Sequence, residues 1–203
     1  MARTVGIGIQ DFSKIIEKNC FYIDKTMFIK EWWESEDEVT LITRPRRFGK
    51  TLTMSMTERF FSVKYAGQGE LFEGLSIWKE VKYRNMQGTY PVISISFANV
   101  KDNNHTYAIK RICQILTMVY EQNRFLLESE ISSKSEKEFY ERITSNMTEF
   151  DAPMQEAYVN GYWDEMVPFI RNLFNSTFKT NPYLDRAILT GIICISKESI
   201  FQI

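Results

Sequence analysis

The stretch Arg44-Pro45-Arg46-Arg47-Phe48-Gly49-Lys50-Thr51 has the residue types and spacing to handle a phosphorylated ligand. Its last three residues match the end of the phosphate-cradling pattern G-x-x-x-x-G-K-[S/T], known as Walker A, while Arg44 stands where the first glycine of that pattern usually is. Each matched residue has a defined task. Gly49 lets the backbone approach phosphate oxygens closely, Lys50 reaches the β- and γ-phosphates, and the Thr51 hydroxyl ligates Mg²⁺. Arg44, Arg46 and Arg47 add positive charge for a phosphate or a partner. Residues 44–52, including Pro45, Phe48 and Leu52, are therefore the expected binding segment for a nucleoside triphosphate, ATP with Mg²⁺ before others.

Such a loop works only where a strand enters it and a helix leaves it. The apolar, β-branched run Val39-Thr40-Leu41-Ile42-Thr43 predicts the strand. Leu52, Met56, Phe60 and Phe61 predict a helix over 51–62. The first amides of that helix lack intrahelical acceptors, and its dipole places partial positive charge beside them. A phosphate supplies the missing acceptors. The competing readings are an ordinary basic turn with a chance Gly-Lys-Thr, and a nucleic-acid contact through the arginines. No aromatic-lined basic strip accompanies the loop, which argues against the second.

Hydrolysis also needs an acid delivered by a second buried strand. Met147-Thr148-Glu149-Phe150-Asp151 is the candidate, with Glu149 as the water-orienting acid and Asp151 as a metal ligand. The residues before it, Ile143-Thr144-Ser145-Asn146, are mostly polar, so no buried strand is expected there. Binding is supported on these grounds and turnover is not. The rest of the chain offers little other chemistry. Its three cysteines (Cys20, Cys113, Cys194) are far apart and form no CxxC pair. His105 is the single histidine and sits in the polar stretch 101–105, which predicts a solvated loop position.

Elsewhere the periodicity predicts helices near 10–18 (Phe12, Ile15, Ile16), 27–34 (Met27, Phe28, Trp32, Trp33), 106–127 (Ile109, Ile112, Leu116, Val119, Tyr120), 134–146 and 161–178 (Trp163, Met166, Val167, Ile170, Leu173, Phe174). Val92 to Phe97 alternates, with Ile93, Ile95 and Phe97 on one face, and predicts a strand. Arg186 to Ile195 predicts another. Residues 63–90 are broken by Gly67, Gly69, Gly74 and Gly88 and read as irregular. Strands alternating with helices give an α/β class with a mainly parallel sheet.

The chain has 203 residues, 44% of them hydrophobic and 14% aromatic, enough to bury a core in one domain. Lys and Arg number 25 against 26 Asp and Glu, a net charge of −1 that excludes a globally basic nucleic-acid binder. The N-terminal residues hold no apolar signal segment, and the run 187–195 is about half of what a membrane span needs. A cytoplasmic protein without a membrane segment is the expectation.

Several segments together resemble the bacterial AAA-ATPase-like family. They are Gly8-Ile9-Gln10-Asp11-Phe12, Phe21-Tyr22-Ile23-Asp24-Lys25-Thr26, residues 43–51, Tyr90-Pro91-Val92-Ile93-Ser94, Pro153-Met154-Gln155-Glu156-Ala157-Tyr158, and Thr190-Gly191 with Ser196-Lys197-Glu198-Ser199. The resemblance covers nearly the whole chain in order, and it implies a three-layer αβα P-loop fold that binds ATP and Mg²⁺. In this family an arginine at position 44 is normal. Family members often carry a C-terminal nuclease domain, for which no counterpart is expected here, so residues 1–203 are taken as one partial P-loop domain. The family's acidic strand ends in Asp-Glu-Tyr-Asp; here the matching residues are Thr148-Glu149-Phe150-Asp151, without the apolar strand before them. An internal deletion and an incomplete sheet are the expectation. Ile192-Ile193-Cys194 stands where the family has Ile-Thr-Arg, so an arginine is missing as well. These departures predict impaired hydrolysis. They also leave room for a non-enzymatic remnant that binds a protein partner or self-associates.

Overall fold

The computed structural model describes residues 3–98, 100, 104–124, 127, 134, 135, 137, 138, 141, 161, 163–179 and 181–191. Described in chain order are α1 (Phe12–Glu17), α2 (Met27–Glu34), β1 (Val39–Thr43), α3 (Lys50–Phe61), α4 (Val81–Arg84), α5 (His105–Gln122), α6 (Trp163–Phe178) and β2 (Ala187–Gly191). The chain gathers into two compact units, one of Met1–Val92 with Ser176–Ile203 and one of Ile93–Asn175.

In the first unit, β1 and β2 pair in parallel with Val39 opposite Ala187 and Thr43 opposite Gly191. They form a two-stranded sheet among the described residues. Mixed α/β architecture with a parallel sheet is thus what the alternation of strands and helices predicted. The sheet is tied to α2 by side chains. Trp32 Nε1 donates to Thr40 Oγ1 at 3.0 Å on β1, and Arg186, just before β2, donates to the Trp32 carbonyl at 3.2 Å. The same guanidinium lies 4.6 Å from the centre of the Trp33 ring, a cation–π contact. These contacts hold the start of β1, and the loop begins at the strand's other end, after Thr43.

The core of this unit is aromatic. Phe12 of α1, Ile29 and Trp32 of α2, and Met56, Phe60 and Phe61 of α3 are buried together. The helical period of each segment puts these residues on one stripe, and the sequence predicted all of them except Ile29. Phe12 stacks on Phe72 at 5.2 Å, and Phe60 meets Phe72 edge-on at 5.1 Å. Asp11 caps α1 by accepting from Ser13 N at 3.0 Å, and it pairs with Arg59 of α3 at 3.2 Å. Phe12 N donates to Ser55 Oγ at 3.0 Å, a second link from α1 to α3.

The glycine-broken stretch holds more order than its sequence predicted. It winds through three short 3₁₀ turns (Val63–Tyr65, Gly69–Phe72, Ser76–Lys79) and α4. Leu71, Phe72, Ile77 and Tyr83 from it are all part of the core. Gly88 closes the stretch at φ +70°, and a Cβ there would fall 2.4 Å from the Ala66 Cα, so two backbones meet too closely for any side chain. Gly88 N then donates to the Phe60 carbonyl at 2.8 Å, which docks the end of the stretch on α3.

Asp24 and Thr26 fasten the entry to α2. Asp24 Oδ1 accepts from Thr26 N at 2.8 Å and from Thr26 Oγ1 at 2.7 Å, and Oδ2 accepts from Ser76 N at 2.7 Å. Thr26 is fully buried, and its Oγ1 in turn accepts from Ile77 N at 3.1 Å. Burial pushes the Asp24 carboxyl up, but the hydrogen bonds from Thr26 and Ser76 outweigh it and hold the group below its ordinary value. Thr26→Val keeps the shape and deletes the hydroxyl, leaving the buried Ile77 amide without an acceptor. Urea denaturation should show a loss of about 1–3 kcal/mol. An unchanged midpoint would mean that the hydroxyl contributes nothing to this turn.

In the second unit, Ala108 and Ile112 of α5 and Met166 and Ile170 of α6 are buried, at no more than 1% exposure. Of the in-phase positions expected from the sequence, Ile112, Met166 and Ile170 are buried, while Ile109, Leu116, Val119, Tyr120, Val167, Leu173 and Phe174 are half-buried. His105 is the first residue of α5 and half-buried, with Nδ1 3.3 Å from Glu165 Oε2. It is therefore not the solvated loop residue that its polar surroundings predicted.

Residues 92–97 depart from expectation. They form no strand, and Ile93 and Ile95 are 63% and 40% exposed. Alternation reports the side-chain period of an extended segment, but a strand also needs a neighbour to complete its ladder. Among the described residues no segment pairs with this one. The expected helix at 134–146 falls mostly outside the described residues, as do residues 192–195 of the last expected strand.

Candidate functional site

At Thr43 the chain leaves β1, runs through residues 44–49, and enters α3 at Lys50. Arg47 and Gly49 turn it with positive φ, +68° and +79°. Gly49 is the N-cap of α3 in the left-handed conformation, which carries a penalty for any residue with a Cβ. The strand-loop-helix setting that the pattern requires is therefore present.

Arg44, Pro45, Arg46, Arg47, Phe48 and Thr51 are exposed, while Gly49, Lys50 and Leu52 are half-buried. Lys50 folds back over its own loop. Its Nζ donates to the Arg44 carbonyl at 2.5 Å and to the Pro45 carbonyl at 2.9 Å. No side chain caps α3. The first backbone bond of the helix runs from Thr53 N to the Gly49 carbonyl at 2.8 Å. The amides of Lys50, Thr51 and Leu52 have no protein acceptor among the described residues. Unsatisfied amides at a helix start are the groups that an anion satisfies. Leu52 packs against the aromatic core and anchors the first turn of the helix.

A further cation meets this loop from elsewhere in the chain. Lys25, just ahead of α2, carries its Nζ to within 3.8 Å of where a Cβ on Gly49 would sit. Lys25 lies within one of the family-like segments, and nothing in the sequence assigns it a role. The signal was the Asp24-Lys25-Thr26 turn, whose side-chain bonds fix the backbone that carries Lys25. Nothing local in the sequence connects that turn to Gly49; the fold does.

These features fit a polyphosphate. They comprise a left-handed glycine, open amides at a helix start, an ammonium on the loop carbonyls and a second one alongside. Thr51 is exposed, and its hydroxyl makes no hydrogen bond to protein among the described residues, which leaves it open to a ligand. Glu149 and Asp151, the expected acids, lie outside the described residues. Among the described residues no group of three or more His, Cys, Asp or Glu side chains could hold a metal by itself. An open depression of about 290 Å³, lined by Glu38, Phe178, Asn181, Pro182 and Leu184, lies at the opposite end of β1. It offers a carboxylate and no cation, so it is no phosphate site. No described helix is long and apolar enough to cross a membrane.

Comparisons with known proteins bear on the family of the chain. The chain is 28% identical over 207 aligned residues to an uncharacterized protein in the vnfD 5′ region of Azotobacter chroococcum mcd 1. That alignment covers 97% of this chain and 38% of the relative, so the chain spans well under half of the relative's length. No solved structure matches. Residues 6–201 match the family described as predicted AAA-ATPase, a span that takes in both the loop and the turn carrying Lys25. With the match running over nearly its whole length, the chain belongs to that predicted AAA-ATPase family.

Proposed function

We propose that this chain binds ATP with Mg²⁺ on residues 44–52 and hydrolyses it poorly. The observation that carries the reading is the left-handed Gly49 followed by the open amides of Lys50, Thr51 and Leu52. Those amides and the Lys50 ammonium hold the phosphates, Thr51 ligates Mg²⁺, and Arg44, Arg46 and Arg47 add attraction at the loop. Mg²⁺ supplies charge neutralisation between the β- and γ-phosphates. Glu149 orients the attacking water and Asp151 assists the metal.

Weak turnover follows from what the sequence lacks. Thr148 replaces the first acid of the family pattern, and Cys194 stands where an arginine is expected. Groups of that kind are worth roughly 3–4 kcal/mol each at the transition state. The finer fold reading is a three-layer αβα P-loop domain that has lost its acid-bearing strand. The alternation at 92–97, which pairs with no segment among the described residues, fits that reading.

The test is a titration of the folded protein with a fluorescent ATP analogue, with and without Mg²⁺, and with a single-stranded oligonucleotide as competitor. Micromolar affinity, about −8 kcal/mol, that needs Mg²⁺ and resists the oligonucleotide is the expected result. Absence of binding would retire the nucleotide reading in favour of a protein-interaction remnant. Displacement by the oligonucleotide with steep salt dependence would favour the arginines as a nucleic-acid contact.

A further inference from the structure

The placement of Lys25 extends the site beyond the loop. Among the described residues, and apart from Gly49's own chain neighbours, Lys25 Nζ is the one heavy atom within 4 Å of a Cβ built on Gly49. Its backbone is held on several sides. Asp24 and Thr26 bond each other on either flank of it, Asp24 binds Ser76, and Thr26 binds Ile77. Lys25 N donates to the Tyr22 hydroxyl at 3.4 Å, and that hydroxyl donates to Met56 Sδ at 3.4 Å on α3. The lysine is thus referenced to the same helix whose N-terminus the loop feeds. The side chain alone keeps freedom to adjust.

Its electrostatic setting needs an explanation. No carboxylate lies within 4.0 Å of Lys25 or Lys50 among the described residues. Two ammonium groups brought to one short loop repel each other, and the helix dipole adds to the positive potential. Lys25 is exposed, so water and salt screen that repulsion in part, and an anion bound between the two ammonium groups would relieve it further.

We infer that Lys25 is a second phosphate-binding lysine, which reaches the polyphosphate held by residues 44–52 from outside the loop. This rests on the nucleotide-binding reading above. Lysine suits the position because its ammonium on a flexible stem follows phosphate oxygens as a point charge. It makes charge-assisted hydrogen bonds there, whereas adenosine offers it no charged acceptor.

The test compares wild type, Lys25→Met, Lys25→Arg and Lys50→Ala in titrations with Mg-ATP, inorganic tripolyphosphate and adenosine. Each protein's urea midpoint is measured without ligand. Lys25→Met should weaken Mg-ATP and tripolyphosphate by about tenfold, the equivalent of one charge-assisted bond. Lys25→Arg should recover most of that loss. The unliganded midpoint of Lys25→Met should be unchanged or higher, because a repulsion is removed; a purely structural lysine would lower it. Wild-type affinity in Lys25→Met, alongside lost affinity in Lys50→Ala, would overturn the assignment and leave the loop site standing. A lowered midpoint without recovery by arginine would make Lys25 a structural residue and overturn it too. Failure of wild type to bind any of the phosphates would remove the site and this assignment together.

Discussion

Phe72→Ala is expected to cost about 3–5 kcal/mol of folding stability, the range for emptying a buried aromatic position. Phe72 is fully buried, and three rings meet it. Phe12 stacks on it at 5.2 Å, Phe60 meets it edge-on at 5.1 Å, and Trp78 stacks on it at 6.2 Å. These rings come from α1, α3 and the 3₁₀ turn Ser76–Lys79, so the cavity opens where three separate segments join. Rings held by backbones that are themselves hydrogen-bonded cannot collapse inward, and the residual cavity keeps most of its cost. A small domain has only about 5–15 kcal/mol to lose. The variant should therefore unfold at a much lower urea concentration than wild type, or be isolated partly unfolded. Phe72→Leu, which keeps most of the volume, should lose clearly less. Equal losses for the two would mean that ring packing is not what holds this junction.

That junction also marks the limit of what the sequence makes legible. Helical stripes such as Phe12 with Ile16, or Met56 with Phe60, are periodic, and the structure buries Phe12, Met56 and Phe60. The β-branched run 39–43 is equally plain and forms β1. Leu71, Phe72, Ile77 and Tyr83 follow no period, because 3₁₀ turns and a one-turn helix present single side chains to the core. Glycine breakers there predict turns without saying which aromatic points inward. The alternation at 92–97 fails for the opposite reason. Its period is correct for a strand, but strand formation depends on a partner that lies elsewhere in the chain.

The loop divides the same way. Gly49, Lys50 and Thr51 are contiguous and carry a pattern, so sequence alone places them at the start of a helix, and the structure does so too. Lys25 joins them only through tertiary packing, by way of Tyr22, Met56 and the Asp24–Thr26 turn. No spacing rule links a residue before one helix to the cap of another. The acids expected at 149 and 151 lie outside the described residues, so the loop is the half of the site that the structure speaks to.

Lys50→Ala should lower Mg-ATP affinity about a hundredfold, as expected when a charge-assisted contact to phosphate is removed. The Lys50 ammonium rests on the Arg44 and Pro45 carbonyls. Phosphate oxygens are stronger acceptors than those carbonyls, so binding exchanges one set of bonds for a better one. The variant gives up both sets, yet it loses only two bonds to backbone carbonyls in the folded, ligand-free state, and the carbonyls of exposed residues turn to water. Its unfolding midpoint should thus fall little, by about 1 kcal/mol, while phosphate affinity falls far more. Lys50→Arg should be intermediate in affinity, because a wider planar guanidinium does not fit where the loop closes on a point charge. Fluorescence titration against Mg-ATP, with circular dichroism confirming a folded variant, separates the two effects. An affinity within twofold of wild type in folded Lys50→Ala would show that the loop does not grip phosphate, however well its backbone matches the shape.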